Sequence, residues 1–146
     1  MEQRQPIRSF RDLEVYTRTY NAMLIVMRDV VPKLPPSEKY DLTDQLSRSS
    51  KAIPRLIAEG YAKRHQRAGF QKYLDDAMAE CNETIVSVEQ CKDLYPRLVD
   101  VKVCEELIKT YDISGRQLYQ LSLSWKNFKE KGKSDQSPNP TSIPAS

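Results

Sequence analysis

The sequence has little of what most catalytic and cofactor sites require. It contains one histidine, His65, so a metal site with several imidazoles is excluded, as is any catalytic triad that does not use that residue. The four glycines lie too far apart to form the glycine-rich loops that cradle phosphate in nucleotide-binding proteins. They are Gly60, Gly69, Gly115 and Gly132. The composition therefore gives no sign of a bound metal or nucleotide cofactor.

Long apolar runs are also missing. The longest, Ala22–Met27, is six residues, whereas a membrane-spanning helix needs about 20. The first ten residues contain no apolar stretch that could act as a signal peptide, so we expect a cytoplasmic protein that does not associate with membranes. Three cysteines, Cys81, Cys91 and Cys104, cannot all pair with one another, which fits reduced thiols in that compartment.

The composition is that of one folded domain. The 146 residues are 39% hydrophobic and 29% charged, and a chain of this length buries roughly 68% of its surface on folding, which suffices for a core without metals or disulfides. We predict an N-terminal extension over residues 1–9, a helical domain over residues 10–130 and a disordered tail over residues 131–146. The tail is rich in Ser, Pro, Asn and Lys and lacks apolar spacing.

Apolar residues recur at steps of three and four in four segments, which predicts four helices and no strand. The segments span residues 13–30, 42–60, 70–91 and 104–128. Asp100 is a candidate N-cap of the fourth helix, and Pro54 lies inside the second pattern, which predicts a single kinked helix there. The spacing and the short connections favour an all-α fold, an antiparallel up-and-down four-helix bundle. Small residues are expected where helices touch: Ser49, Gly60, Ala77 and Ser114.

Three stretches of the sequence resemble one bacterial family. They are FRDLEVY (Phe10–Tyr16), EKYDLTDQLSRSSKAIPRLIAEGYAKR (Glu38–Arg64) and FQKYLDDAMAECNET (Phe70–Thr84). The resemblance is to the four-helix bundle proteins first named for the intervening sequence of 23S ribosomal RNA. It implies a small bundle that assembles as a ring, commonly of five copies, with no established enzymatic activity. A distant branch looks like the accessory variability protein of diversity-generating retroelements, which partners a reverse transcriptase and its RNA.

Charge is segregated along the chain. Residues 45–75 carry a net charge of +5 and residues 76–112 a net charge of −5, against +3 for the whole sequence. At about 100° per residue, four cations of the second helix fall on one face. We call them the basic stripe: Arg48, Lys51, Arg55 and Lys63. The stripe leads into a basic loop, KRHQR, over residues 63–67.

Long cations on a rigid helix, continued by a basic loop, suit a phosphate backbone, which needs positive charge at loose spacing. Tyr61 and His65 add candidate stacking surfaces for the bases of single-stranded RNA or DNA. The predicted nucleic-acid-binding residues are Arg48, Lys51, Arg55, Lys63, Arg64 and Arg67.

A structural role for the same charges is the alternative. An acidic stripe on the third helix consists of Asp76, Glu80 and Glu83. The acidic and basic stripes could face each other within the bundle, or meet across a subunit boundary where complementary charge sets register. Glu59 could also pair with Arg55 at i−4 and with Lys63 at i+4. The sequence leaves these alternatives open.

Other notable side chains are expected to be structural. Cys81 and Cys104 fall on apolar seams and are predicted to pack in the core, and His65 is expected to be an exposed loop residue rather than a catalyst. Aromatic residues at helical spacing are expected in core or intersubunit packing: Tyr16, Tyr20, Tyr111 and Trp125. We predict no catalytic residue, no metal ligand and no cofactor.

The sequence thus favours a non-enzymatic homo-oligomer that binds RNA or DNA through a basic surface. The resemblance suggests a pentamer that serves a reverse transcriptase of a diversity-generating retroelement, or another RNA-processing system. The alternative is an oligomeric scaffold that contacts a protein partner and does not bind nucleic acid. An enzyme is the least favoured class, because its activity would have to depend on His65 or Glu59.

Overall fold

The computed structural model describes the backbone of residues 6–135 and the side chains of residues 6–125. This part of the chain is all-helical, as predicted, and contains no strand. Its four α-helices are α1 (Glu14–Ile25), α2 (Leu42–Ala62), α3 (Arg67–Leu94) and α4 (Val101–Asp135). A π-helical turn, Val26–Val30, prolongs α1. Short 3-10 turns occupy Phe10–Asp12, Val31–Lys33 and Pro36–Glu38.

The start of α4 is capped by the residue that the sequence predicted. The Oδ1 atom of Asp100 accepts hydrogen bonds from the backbone N–H groups of Lys102 at 3.0 Å and Val103 at 3.3 Å. A side-chain acceptor at this position satisfies donors that have no partner within the helix. The other end of α4 differs from the prediction, because Lys131–Asp135, which we assigned to the tail, are helical. Residues 136–146 lie outside the described part of the chain.

Helix α2 continues through Pro54 without interruption. The periodic segment is therefore one helix, as predicted, and the bend at the proline stays a prediction. The Pro54 ring is itself buried, and the Ser50 hydroxyl next to it donates to the carbonyl oxygen of Ser47 at 3.3 Å. Packing of the ring in the core offsets part of the cost of the missing backbone donor.

Small residues lie at the contacts between helices, as the sequence predicted. Ser49 on α2 and Thr84 on α3 are both buried, and the Thr84 hydroxyl donates to Ser49 Oγ at 2.9 Å. Gly60 approaches α3 so closely that an added Cβ would lie 2.8 Å from the Cβ of Tyr73. Ala77 and Ser114 are fully buried. Short side chains at these positions let the helix backbones come together.

The four helices and the π-helical turn after α1 all contribute side chains to the hydrophobic core. Its fully buried side chains include Val26, Ile53, Leu74 and Leu118, and Ile7, which we placed in the N-terminal extension, packs against it half-buried. At one end, Phe70 and Trp125 join α3 to α4 with their ring centroids 5.0 Å apart. No helix among the described residues is both long and apolar enough to cross a bilayer.

Candidate nucleic-acid interface

The six predicted nucleic-acid-binding residues fall into two groups. Three of them lie on the solvent side of α2 and line one groove: Arg48, Lys51 and Arg55. The other three lie at the turn between α2 and α3. Lys63 follows the last residue of α2, Arg64 lies within the turn and Arg67 is the first residue of α3. The structure thus brings the first three together and places the others beyond the end of α2.

The groove between α2 and α3, which we call the charged groove, contains side chains of both signs. Its volume is about 510 Å³. Besides the three cations of α2, its lining includes three carboxylates: Glu59, Asp76 and Glu80. Two residues of the acidic stripe therefore do lie beside the basic stripe within one chain, as one of the alternatives from the sequence proposed.

These opposite charges are nevertheless not locked into ion pairs across the charged groove. Arg48 pairs within its own helix, with its Nε atom 3.4 Å from Oδ2 of Asp44, and both side chains are largely exposed. Among the described side chains, Lys51 and Arg55 form no ion pair, and the expected pairs of Glu59 with Arg55 and Lys63 are not formed. Lys51 and Arg55 are also exposed, so both remain accessible to an anion.

The pKa of Glu80 reflects the burial and the charges of its surroundings in the charged groove. Burial raises the pKa of Glu80, and the adjacent Glu83 raises it further through its charge and a side-chain hydrogen bond. The positive charge of Arg48 acts in the opposite direction, while the negative charge of Asp76 adds to the increase. The negative charges near Glu80 thus raise its pKa, and the positive charge of Arg48 offsets this increase only in part.

The turn after α2 holds one of the predicted cations against an aromatic ring. The guanidinium of Arg64 stacks on Tyr61 at 4.1 Å from the ring centroid and donates to the Tyr61 carbonyl oxygen at 3.0 Å. Tyr61 is only 7% exposed, so its predicted role as a base-stacking surface is wrong. The reason is helical geometry, because Tyr61 falls four residues after buried Ile57 and shares its core-facing side. His65 is exposed, as predicted.

A second groove lies on the other side of Lys51 and Arg55, between α1 and α2. We call it the aromatic groove; its volume is about 340 Å³. Its lining consists of Phe10, Tyr16, Tyr20, Met23, Lys51, Pro54, Arg55 and Ala58. The ring centroids of Phe10 and Tyr16 are 4.9 Å apart, and those of Tyr16 and Tyr20 are 5.9 Å apart. None of the lining side chains is acidic.

The spacing in the sequence predicts core or intersubunit packing for these tyrosines and does not predict the aromatic groove. Tyr111 and Trp125 are indeed buried, whereas Tyr16 is half-buried and Tyr20 is 42% exposed. The signal that was present is the pair of tyrosines four residues apart, which places both rings on one face of α1. The contribution of Phe10 depends on the 3-10 turn before α1.

The three cysteine side chains are buried in the hydrophobic core. Cys81 and Cys104 are buried, as predicted, and so is Cys91. Burial raises the pKa of the Cys81 and Cys91 thiols to about 12 and raises the pKa of Cys104 as well. At neutral pH these groups are protonated and act as small hydrophobic side chains. The described side chains contain no group of three or more His, Cys, Asp or Glu residues placed to hold a metal ion.

Comparison with known protein families gives one match over most of the chain. The family model described as 23S rRNA-intervening sequence protein matches residues 11–120, a range that contains α1 to α3, most of α4 and all six predicted cations. No curated protein and no solved structure matches the chain significantly. The family match confirms the resemblance drawn from the sequence, and the chain belongs to the 23S rRNA-intervening sequence protein family.

Proposed function

We propose that this protein is a non-enzymatic homo-oligomeric four-helix bundle that binds RNA or DNA through the basic surface of α2 and the turn that follows it. Binding is electrostatic and largely independent of base sequence. The protein acts as an accessory to a reverse transcriptase of a diversity-generating retroelement or to another RNA-processing system in the cytoplasm. It needs no cofactor and no metal.

The proposal rests on two properties of Lys51 and Arg55, namely their exposure and their lack of an ion pair with a described residue. Both side chains are exposed on α2, one helical turn apart, and neither forms an ion pair with a described residue. Exposed cations that are not neutralised by carboxylates attract phosphate and release its counterions on binding. The basic loop of residues 63–67 follows α2 directly and begins with Lys63, which is exposed.

The proposed architecture is antiparallel and up-and-down. Its support comes from pairs of contacts along α2 and α3. Ser49 contacts Thr84, whereas Gly60, further along α2, approaches Tyr73, which comes earlier in α3. The proposed ring, with five copies, rests on the family resemblance. In such a ring the basic surface is repeated, and several weak phosphate contacts act together on one nucleic acid.

The triple substitution Arg48→Ala, Lys51→Ala and Arg55→Ala tests this proposal. We expect it to weaken binding of a single-stranded RNA by roughly tenfold or more at low salt. The logarithm of the affinity should also depend less steeply on that of the salt concentration, by about 0.7 for each phosphate that the variant no longer neutralises. The measurement is fluorescence anisotropy of a labelled oligonucleotide in about 50 and 200 mM salt. Far-ultraviolet circular dichroism checks that helicity is unchanged.

A matched control removes the same number of positive charges elsewhere. Arg97, Lys102 and Lys109 are exposed and lie in the acidic part of the chain, so their replacement by alanine should change affinity much less. Since Arg48 already pairs with Asp44, the double variant Lys51→Ala and Arg55→Ala should retain most of the effect of the triple variant. Equal decreases in affinity for the stripe variant and the control would show that only net charge matters and would reject the site.

An oligomeric scaffold without nucleic-acid binding is the second candidate. The observation in its favour is the charged groove, where three cations and three carboxylates lie side by side. A surface that carries both signs suits a second protein surface with the complementary pattern, because opposite charges set register between partners.

The double substitution Asp76→Asn and Glu80→Gln separates the two candidates. If α2 binds nucleic acid, removing two negative charges from the charged groove should strengthen binding of the labelled RNA by roughly threefold or more at low salt. If the groove joins subunits or a partner protein, the same change should lower the mass of the assembly measured by light scattering. Glu105→Gln and Glu106→Gln on α4, where both side chains are exposed, provide the control with the same change in charge.

A further inference from the structure

We propose that the aromatic groove between α1 and α2 receives the unstacked bases of a single-stranded nucleic acid whose phosphates are held by Lys51 and Arg55. This inference rests on the proposed function and specifies it further: the ligand is a single strand, and the strand lies on the α1 side of α2.

The groove offers aromatic surface to a ligand. Tyr20 is 42% exposed, and its ring is the outermost of a series that continues through Tyr16 to Phe10 at centroid distances of 5.9 and 4.9 Å. Large aromatic side chains normally bury most of their area. The exposed ring of Tyr20 packs against Tyr16, which in turn packs against Phe10, and a base can stack on such an exposed ring.

The charges on the two sides of α2 favour the α1 side for a phosphate backbone. Lys51 and Arg55 lie on the ridge between the two grooves and line both of them. A strand in the charged groove would face Glu59, Asp76 and Glu80, which repel it. A strand on the α1 side would face the same two cations with no acidic side chain among the residues that line the groove.

The chemistry of the groove selects single strands over duplexes. Bases in a duplex are stacked on one another and paired, so their faces cannot reach a protein ring without the cost of unstacking. Bases of a single strand can turn outward and stack on aromatic side chains while cations follow the backbone. With Met23 and Pro54 completing the wall, the groove provides apolar contact to a base face and few hydrogen-bonding groups, so recognition of base identity should be weak.

The test compares two probes on four proteins and, as a fifth, the Lys51→Ala and Arg55→Ala double variant, which reports on the phosphate contacts. The probes are a labelled oligothymidine of roughly 20 nucleotides, longer than common single-strand sites of about 4–16 nucleotides, and a duplex of the same length. The proteins are the wild type, Tyr20→Ala, Tyr20→Phe and Tyr119→Ala. Tyr119 is the matched control because it is an exposed tyrosine on α4, 52% accessible, away from the groove.

We expect the wild type to bind the single strand more tightly than the duplex. Tyr20→Ala should weaken single-strand binding by roughly fivefold or more, the decrease typical of one stacked base. The salt dependence should not change, because the cations that bind phosphate are all kept. Tyr20→Phe keeps the ring and should bind like the wild type, as should Tyr119→Ala.

Three other outcomes would overturn the inference in distinguishable ways. If Tyr20→Ala binds oligothymidine as the wild type does while the Lys51→Ala and Arg55→Ala variant binds it more weakly, the proposed function stands and base stacking in the groove is rejected. If the wild type binds neither probe at low salt, both proposals fail. If Tyr20→Ala lowers the mass of the assembly by light scattering and leaves affinity for the single strand unchanged, the groove seats a second copy of the chain instead.

Discussion

Gly60→Ala is expected to lower the free energy of unfolding by about 2 kcal/mol, although alanine is intrinsically the better helix former by about 1 kcal/mol. An added Cβ would lie 2.8 Å from the Cβ of Tyr73 and 3.5 Å from Cδ1 of Phe70. The Cβ of Tyr73 is fixed by the backbone of α3, so relief requires that α2 and α3 move apart. Overpacking of this kind costs about 1–3 kcal/mol, and a contact with an immobile atom should cost an amount near the upper end of that range. The gain of about 1 kcal/mol in helix propensity offsets part of this cost.

Gly115→Ala is the matched control for this prediction. It places the same methyl group on α4, where nothing lies within 4 Å of the added Cβ. Here only helix propensity changes, so the free energy of unfolding should rise by about 1 kcal/mol. Urea unfolding followed by far-ultraviolet circular dichroism, at one protein concentration, measures both variants. If Gly60→Ala were stabilising to the same extent, the close approach of α2 and α3 would be wrong.

The helices could be predicted from the sequence because a buried face repeats with the period of the helix. Ser49 and Gly60 were placed at contacts by that period alone, and both are buried. The C-terminal end of α4 could not be predicted from the period of a buried face. Lys131–Asp135 contribute no apolar face, yet they continue a helix that is already formed, and propagation costs far less than nucleation.

Only the part of the candidate site that lies on a single helix could be predicted from the sequence. The exposed face shared by Lys51 and Arg55 follows from their separation of four residues. The aromatic groove depends on tertiary structure, because Phe10 reaches it through a 3-10 turn closed by a capping box. In that box, Ser9 Oγ accepts from the N–H of Arg11 and Asp12 Oδ2 accepts from the N–H of Ser9. The spacing of residues along α1 cannot predict a contact made by Phe10, because Phe10 lies in the segment before α1.

The largest decrease in stability is expected for Phe70→Ala, about 3–5 kcal/mol. Phe70 is 1% exposed, and its ring meets Trp125 edge to face with an angle of 83° between the ring planes. Truncation removes the apolar area of the ring and leaves a cavity between α3 and α4. Single domains have a total stability of about 5–15 kcal/mol, so this variant should unfold at much lower urea concentration than the wild type.

Because Phe70→Ala could prevent folding altogether, Phe70→Leu keeps the prediction measurable. Leucine fills part of the volume and should lower stability by about 1–2 kcal/mol, whereas Tyr119→Ala, at an exposed position on α4, should change stability by less than about 0.5 kcal/mol. Phe70 packs the first turn of α3 into the core, three residues after the end of the basic loop, and carries no charge. Folded Phe70→Leu should therefore bind oligonucleotides as the wild type does if affinity comes from cations at loose spacing. Weaker binding by this folded variant would mean that the geometry of the turn, and not its charge alone, determines affinity.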